Sequence, residues 1–329
     1  MKLISITLCI KITLISITIF ITGCASTTPP EWYTSPKPDT NKYIYAAAQG
    51  RSLSHAKKMA INNVNEKLWT QVDSSFYMRD VAKENNGQST SNNLIDNKIN
   101  TKTAKLTLNG VEFLNTEENE LGFFVEVRVK KELVRKQLIL ELNQLNNNAQ
   151  SQLDSLKNSD SLLWWLKNQN AFQLKKDALI RIAMLSVVSP QDKFNTLLLD
   201  ESLVSLSSVN SSLLIQIKTN KRNKKSASLL SDKFSLENIS TTNTYNKYTT
   251  HTLTLISEPR KNIIGDAYVS TLVTELKLIN KKGKTIASNE IISSGNSVTS
   301  YKMANEGASR HFAQQIDDHG LWTSLGITQ

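Results

Sequence analysis

The amino-acid sequence predicts an α+β protein made of two small domains, each an antiparallel sheet covered by helices, joined by a helical connector. Three stretches indicate this. Residues 42–148 carry strand and helix signals in the order strand, helix, hairpin, helix, whereas residues 149–210 carry only helical periodicity. Residues 211–329 return to long strand patterns and close with a helix. With 39% hydrophobic and 7% aromatic residues among 329, the chain can form packed cores, so a wholly disordered protein is excluded.

The first predicted domain begins with a strand at 43–48, closed by Gly50. The helix after it places a small or apolar residue at every fourth position and should end near Phe76; these positions are Ala56, Ala60, Val64 and Leu68. A hairpin follows, with one arm at 103–114, a turn at 117–120 and a returning arm at 123–129.

Alternation in the returning arm predicts a half-buried strand, with Phe124 and Glu126 on the exposed face. The last helix of this domain carries Val134, Leu138, Leu142 and Leu145 on one face. We expect it to loosen at Asn146–Asn148.

The connector should contain a helix capped by Ser159 or Asp160 and a second helix that ends near Pro190. Trp164 and Trp165 are adjacent on the first helix, so their side chains point about 100° apart and do not share one sugar-stacking platform. We expect Trp164 in the core and Trp165 partly exposed.

In the last third, strands are predicted at 213–217, 248–257, 268–279 and 285–292. The core candidates of the closing helix, at 299–318, are Met303, Ala304, Ala308, Phe312 and Ile316.

Residues 1–23 have the layout of a secretory signal peptide: early lysines, an uncharged segment at 12–22, and a small residue at the end. The uncharged segment is too short to span a bilayer as a helix. The run at 21–24 resembles a bacterial lipobox, which implies cleavage between Gly23 and Cys24 and acylation of Cys24. The alternatives are an ordinary signal peptide with an incidental cysteine, or an uncleaved anchor.

Position 25 is Ala and not Asp, which by resemblance to lipoprotein sorting in Gram-negative cells favours the outer membrane, where we expect the periplasmic face. Cysteine occurs only at Cys9 and Cys24, so a disulfide-stapled fold and a Cys-based zinc site are excluded.

Residues 24–41 contain four prolines and are predicted to form a lipidated, extended tether. Its aromatic pair, Trp32 and Tyr33, could dock on the first domain, sit in the lipid interface or grip a ligand.

The formal charge is +10, and removal of residues 1–23 leaves about +8. A basic exported protein points to anionic envelope partners, such as lipid phosphates or acidic protein faces, and not to nucleic acid. The strongest cationic cluster is the basic segment, which we define as Lys218, Lys221, Arg222, Lys224 and Lys225. It could contact anionic lipid or peptidoglycan, or it could be a solvated loop.

Local signatures of catalysis are missing from the sequence. The four histidines show no paired ligand spacing, and neither a phosphate-binding loop nor a dinucleotide fingerprint occurs. Gly50 and Gly295 each precede a serine by two positions but lack the second glycine of a nucleophile elbow. We therefore expect no catalytic residue, metal or cofactor, although a Ser/His/Asp triad assembled in space stays open.

Residues 50–57 also parallel residues 295–302, since each segment begins with glycine, follows a predicted strand and opens an alanine-bearing helix. This parallel reflects either a distant duplication or convergence at strand–helix junctions.

One family resemblance covers about residues 24–145. The run Pro30-Glu31-Trp32-Tyr33, followed by Tyr45, Gly50 and the alanine-bearing helix, resembles the LPP-twenty lipoprotein family. The resemblance implies a small α+β domain on outer-membrane lipoproteins, some of which serve in flagellar or motility-linked assemblies. No catalytic residues come with it.

These observations predict a non-enzymatic lipoprotein, held by its N-terminal lipid at the outer membrane, that binds envelope proteins or has a structural role. The alternative is a module that binds peptidoglycan or lipopolysaccharide. A cell-wall hydrolase is the third alternative.

Overall fold

The structure is a computed structural model that describes residues 28–84 and 106–327. The chain divides into two compact units. The first unit comprises residues up to 144 together with 177–194, and the second comprises 145–176 and 195–329. The helices of the predicted connector are therefore shared between the units and are described with them.

The first unit is built on a three-stranded antiparallel sheet in the order β1-β3-β2. Its elements are α1 (Glu31–Thr34), β1 (Tyr43–Gly50), α2 (Leu53–Glu84), β2 (Val111–Asn119), β3 (Gly122–Lys130) and α3 (Lys131–Leu156). Ala56, Ala60, Val64 and Leu68 are all buried, as predicted from their spacing, and α2 packs on β1 and β3. This helix covers the face of the sheet that carries Val125, Val127 and Val129.

Several boundaries of the first unit differ from the predictions. Helix α2 continues to Glu84, and the hairpin turn lies at 120–121, so β2 runs through three of the four residues predicted to turn. Residues 103–105 of the predicted arm lie outside the described residues. Helix α3 does not loosen at its asparagines but continues to Leu156, because Ala149 is fully buried and tertiary packing outweighs the low helix propensity of Asn.

The second unit contains a five-stranded sheet in the order β5-β4-β6-β7-β8. Strand β4 pairs in parallel with β5 and β6, and the pairs β6–β7 and β7–β8 are antiparallel. The remaining elements are α4 (Ser161–Lys167), α5 (Ala171–Val188), α6 (Leu197–Ser212), β4 (Leu214–Thr219), a 3-10 turn (Lys221–Asn223), α7 (Lys224–Leu236), β5 (Ser240–Thr242), β6 (His251–Ile264), β7 (Ala267–Asn280), β8 (Thr285–Ser297), α8 (Tyr301–His319) and α9 (Leu321–Ser324). The α+β class is confirmed. Helix α7, strand β5 and the parallel pairing were not predicted.

The core of the second unit lies between the sheet and helices α7 and α8. Four of the five predicted core residues of α8 are buried there, whereas Met303 is exposed. Trp164 is buried as predicted, but Trp165 is only 7% exposed, so its expected partial exposure is wrong. The reason is Trp322 of α9, whose ring lies edge-on to that of Trp165 with centroids 6.2 Å apart.

Gly50 and Gly295, the equivalent glycines of the two parallel sequence segments, occupy equivalent packing positions. A Cβ at Gly50 would overlap the backbone of Ala56, and a Cβ at Gly295 would overlap the backbone of Ala304 and Ala308. In both places a strand approaches a helix so closely that only glycine fits. The parallel in sequence therefore has a shared physical cause, whatever its history.

The outer edge of β1 is capped by polar side chains. Asp39 Oδ1 accepts a hydrogen bond from the Tyr45 amide at 2.9 Å, Lys67 Nζ donates to the Tyr45 carbonyl at 2.6 Å, and Asn63 Nδ2 donates to the Ala47 carbonyl at 2.8 Å. Such caps occupy groups that another strand would otherwise bind.

The outer edge of β8 is capped in the same way from α8. The Ser294 amide donates to His311 Nδ1 at 3.0 Å, and Gln315 Nε2 donates to the Ile292 carbonyl at 3.0 Å. Strand addition is thus hindered at an outer edge of each sheet.

We expect Gly295→Ala to lower the free energy of unfolding by about 1–3 kcal/mol, because the new methyl group would force β8 away from α8. Urea unfolding followed by tryptophan fluorescence measures the change. Asn296→Ala, at the exposed neighbouring position, is the matched control and should have little effect. Equal stability of the two variants would contradict the proposed close approach.

Candidate functional site

The predicted lipidation site, Cys24, and the cleavage position, Gly23, lie outside the described residues. The description begins at Thr28, four residues after Cys24. The Thr28 carbonyl accepts a hydrogen bond from Asn119 Nδ2 at 3.0 Å, at the end of β2 next to the hairpin turn. The chain that follows the predicted anchor is therefore fixed on the first sheet at its first described residue.

Residues 28–42, which we call the docked segment, run along this sheet on the face opposite to α2. The ring of Tyr33 meets that of Phe124 edge-on, with centroids 4.9 Å apart. At the other end, the Lys131 amide donates to the Lys42 carbonyl at 2.9 Å. The segment contacts the sheet at both ends and in between, so the part of the predicted tether at 28–41 lies against the first unit. Of the three alternatives for the aromatic pair, Tyr33 takes the docked one.

Glu126 on β3 is buried beneath the docked segment, with 1% of its side chain exposed. Its Oε2 accepts from Asn115 Nδ2 at 2.5 Å and lies 3.5 Å from Lys37 Nζ. Its Oε1 is buried, with no hydrogen-bond partner in the part of the chain that the structure describes. The sequence placed Glu126 and Phe124 on an exposed face. That prediction is wrong because it considered the strand without the segment that covers it.

An open groove of about 690 Å³ lies beside the docked segment, between it and α2. Tyr33, Pro36 and Asp39 line it from the docked segment, and Lys67 lines it from α2, with its Nζ 3.3 Å from Asp39 Oδ1. Glu66 and Thr70 of α2 also line the groove, which therefore offers apolar contact, one ion pair and further polar groups to a bound molecule.

The solvated loop considered for the basic segment is not what the structure shows. The segment forms the junction of β4 and α7. Lys218 lies near the end of β4, Lys221 is in the 3-10 turn, and Lys224 and Lys225 begin α7. All four lysines are exposed; the side chain of Arg222 lies outside the description.

The basic segment carries unbalanced positive charge. Among residues 28–84 and 106–327, none of its four lysines forms an ion pair. The first turn of α7 has no acidic residue and no side-chain cap. Cations at a helix N-terminus oppose the helix dipole, so this end of α7 carries more positive charge than folding alone favours.

A buried polar cluster joins α4 to the second sheet. The Asp160 carboxylate caps α4 by accepting from the Leu162 and Leu163 amides. It also lies 3.0 Å from His251 Nε2, at the start of β6, and accepts from Asn280 Nδ2, at the end of β7, at 3.0 Å. The capping role of Asp160 was predicted, whereas its contacts with His251 and Asn280, distant in sequence, were not.

The cluster brings a histidine, a carboxylate and a threonine hydroxyl together, whereas the hydrolase alternative calls for a serine in a pocket. His251 Nδ1 lies 3.0 Å from Thr250 Oγ1. That hydroxyl also lies 3.0 Å from the Leu214 carbonyl oxygen and 3.1 Å from the Leu214 amide nitrogen, so backbone groups already engage it. His251 is 1% exposed. The arrangement therefore fits a structural tie between helix and sheet better than a site that a substrate could reach.

Burial acts to raise the pKa of Asp160, but hydrogen bonds from His251 and Asn280 outweigh it and lower the pKa to about 2. The ionised carboxylate is thus favoured in the folded protein. Its contribution to stability is fully present above the ordinary pKa of 3.8 and is lost as the pH falls through about 2.

The other histidines are not brought into this cluster. His311 caps the edge of β8, and His319 Nδ1 lies 2.8 Å from the Gln315 carbonyl oxygen at the end of α8. Within the described ranges, no group of three or more His, Cys, Asp or Glu residues is arranged to hold a metal ion. No helix among the described residues is both long and apolar enough to cross a membrane.

Asp160→Asn should lower the free energy of unfolding at neutral pH by about 2 kcal/mol, because Asn can still cap α4 but cannot pair as an anion with His251. The difference from the wild type should shrink between about pH 4 and about pH 2. Urea unfolding at several pH values, followed by tryptophan fluorescence, measures it.

The matched control is Asp266→Asn, which makes the same change of charge in the exposed β6–β7 turn. It should leave the stability nearly unchanged. A loss in Asp160→Asn that stays constant down to the lowest pH would contradict the ionic role.

Three solved structures are similar to this chain. The secreted protein HP1454 from Helicobacter pylori has 13% identity, covers 85% of this chain and 98% of its own length, and has a TM-score of 0.47. A minor lipoprotein from Acinetobacter baumannii, with 11% identity, covers 35% and 96% with a TM-score of 0.28. The lipoprotein GNA1162 from Neisseria meningitidis, with 12% identity, covers 32% and 97% with a TM-score of 0.22.

No curated protein matches the chain. Residues 30–130 match the family described as LPP20 lipoprotein, which is the LPP-twenty family named above. This stretch contains α1, the three strands of the first sheet and α2. The resemblance expected from Pro30–Tyr33, Tyr45 and Gly50 is therefore confirmed: residues 30–130 of this chain are similar to the LPP20 lipoproteins.

Proposed function

We propose that this protein is a non-enzymatic lipoprotein, anchored through Cys24 on the periplasmic face of the outer membrane, that acts as a structural or protein-binding component of the envelope. The observation that carries the proposal is the docked segment. It places the first described residue, Thr28, on the sheet only four residues after the predicted acylated cysteine. The LPP20 match supports a membrane-anchored envelope protein.

The number of residues between Cys24 and Thr28 limits how far the first sheet can lie from the bilayer. Four residues span at most about 14 Å, so a lipid on Cys24 would hold the first sheet close to the bilayer. A long tether would let the protein sample the periplasm, whereas this short link keeps the first unit at the membrane surface. Such a position suits a component that presents the rest of its surface to partners.

The burial of the cluster formed by Asp160, His251 and Thr250 favours binding over catalysis. His251 is buried, and the hydroxyl beside it is engaged by the backbone. For a hydrolase, the histidine and the hydroxyl would need to face a cavity that admits substrate.

A partner is better placed on a sheet face than on a sheet edge. One face of the second sheet carries half-exposed Ile256 and Ile292; on β7 between them, Val273 pairs with Ile292 and Glu275 pairs with Ile256. Side chains already cap the outer edges of β1 and β8. By the resemblance to the LPP-twenty family, a motility-linked or flagellar assembly is one candidate for the partner.

Labelled palmitate should be incorporated into the wild-type protein and not into Cys24→Ala, because the thioether forms on that sulfur. After cross-linking in cells, the wild type should be recovered from outer-membrane fractions with stoichiometric protein partners. Mass spectrometry of the recovered complexes and lipid labelling measure both outcomes.

Ala25→Asp is the matched control for sorting, since by analogy with Gram-negative lipoproteins it should keep the label and move the protein to the inner membrane. A mature protein that starts at another residue and carries no fatty acid would overturn the anchor. Recovery of the acylated protein without any partner would overturn the binding role.

The second candidate function is binding to an anionic surface, such as lipid phosphate or peptidoglycan, through the basic segment. It is favoured by the four exposed lysines, which have no ion pair in the described part of the chain, and by their position at the N-terminus of α7. Each cation near an anionic surface contributes about 1 kcal/mol at low salt.

Lys224→Ala with Lys225→Ala should therefore weaken binding of an unacylated chain, beginning at residue 25, to anionic vesicles by about 2 kcal/mol, or about 30-fold. Co-sedimentation at low salt measures this, and high salt should remove it. Lys282→Ala with Lys284→Ala removes the same charge from another exposed turn and should have little effect. Equal losses would show that only net charge matters.

A further inference from the structure

The β2–β3 hairpin turn marks one end of the first sheet. We define the turn end as the hairpin turn around Leu121 together with Gly50 and Arg51, at the junction of β1 and α2. These parts are in contact, since Gln49 Nε2 donates to the Leu121 carbonyl at 2.6 Å and the Gly50 carbonyl oxygen packs directly against Gly122. Thr28 is bonded at this same end through Asn119.

The opposite end of the sheet carries Lys42, Lys130 and the start of α3. The eight residue steps of β3 from Gly122 to Lys130 span about 26 Å, since a strand rises about 3.3 Å per residue. Cys24 can reach no further than about 14 Å from Thr28. Cys24 itself can therefore come level with the turn end but cannot reach the opposite end.

We propose that the turn end of the first sheet is the membrane-facing surface of this protein and lies against the lipid headgroups of the bilayer that holds its own acyl chains. This inference rests on the proposed anchor at Cys24. The docked segment sets the orientation, because it runs away from the anchor along the sheet, from Asn119 to Lys131. Were the segment undocked, the same anchor would impose no orientation.

The side chains at the turn end indicate which headgroups suit it. Leu121 is 46% exposed at the turn, where it can enter the headgroup layer. Exposed Glu117 and Glu118 at the end of β2 and exposed Glu120 in the turn lie near it in the chain, and the turn end as defined contributes one exposed cation, Arg51. Carboxylates pair with the ammonium groups of zwitterionic ethanolamine lipids and are repelled by anionic phosphoglycerol surfaces. The turn end thus fits an ethanolamine-rich leaflet, and it is chemically unlike the basic segment.

The test places an environment-sensitive fluorophore on the acylated full-length mature protein in phosphatidylethanolamine vesicles that contain a headgroup-attached quencher. Leu121→Cys labels the turn end, and Lys42→Cys, also exposed, labels the opposite end as the matched control. We expect a loss of fluorescence at position 121 and none at position 42. The unacylated chain beginning at residue 25 should lose fluorescence at neither position.

Equal quenching at both positions, or stronger quenching at position 42, would overturn the orientation. So would no quenching at position 121 in a protein that floats with the vesicles. Failure of the protein to be acylated or to float would instead overturn the anchor, and the orientation would fall with it.

Lipid composition tests the chemistry separately. In vesicles rich in phosphatidylglycerol at low salt, quenching at position 121 should decrease, and Glu117→Gln, Glu118→Gln and Glu120→Gln together should restore it. Insensitivity to both changes would overturn the assignment of an ethanolamine surface.

Discussion

The first unit depends on the coverage of both faces of a three-stranded sheet. Helix α2 covers one face, and the docked segment, which precedes the sheet in the chain, covers the other. This is why four consecutive residues of β3, from Phe124 to Val127, are all buried. Because the segment that shields the sheet follows Cys24 in the chain, the contacts that complete the fold also limit where the predicted anchor can lie.

Local periodicity predicted much of the fold. The four-residue spacing in α2 identified its buried face. Strand signals located β7 to within one residue at each end, whereas β6 and β8 continue beyond their predicted ends. What it missed depends on contacts between distant residues. Helix α3 passes through Asn146–Asn148 because Ala149 is buried, and Trp165 is covered by Trp322 from the far end of the chain.

For the candidate site too, the sequence predicted features that depend on neighbouring residues and missed contacts between distant ones. The sequence identified Cys24 as the predicted anchor, the basic segment by its charge, and Asp160 as a helix cap. It could not place His251 beside Asp160, which is 91 residues earlier in the chain. It also could not place Lys37 over Glu126, which requires the whole sheet to exist. Proline content predicted a short, extended tether, and the contact of Tyr33 with Phe124 shows that this segment also packs on the sheet.

The capped edges of β1 and β8 matter most where molecules are crowded. Proteins confined to a plane meet one another far more often than the same number free in a volume, and exposed strand edges are what would join them into fibres. Asn63 and Lys67 occupy the outer edge of β1 in the first sheet, and His311 and Gln315 occupy that of β8 in the second. With the anchor proposed above, copies that collide on a crowded membrane would find these two edges already occupied.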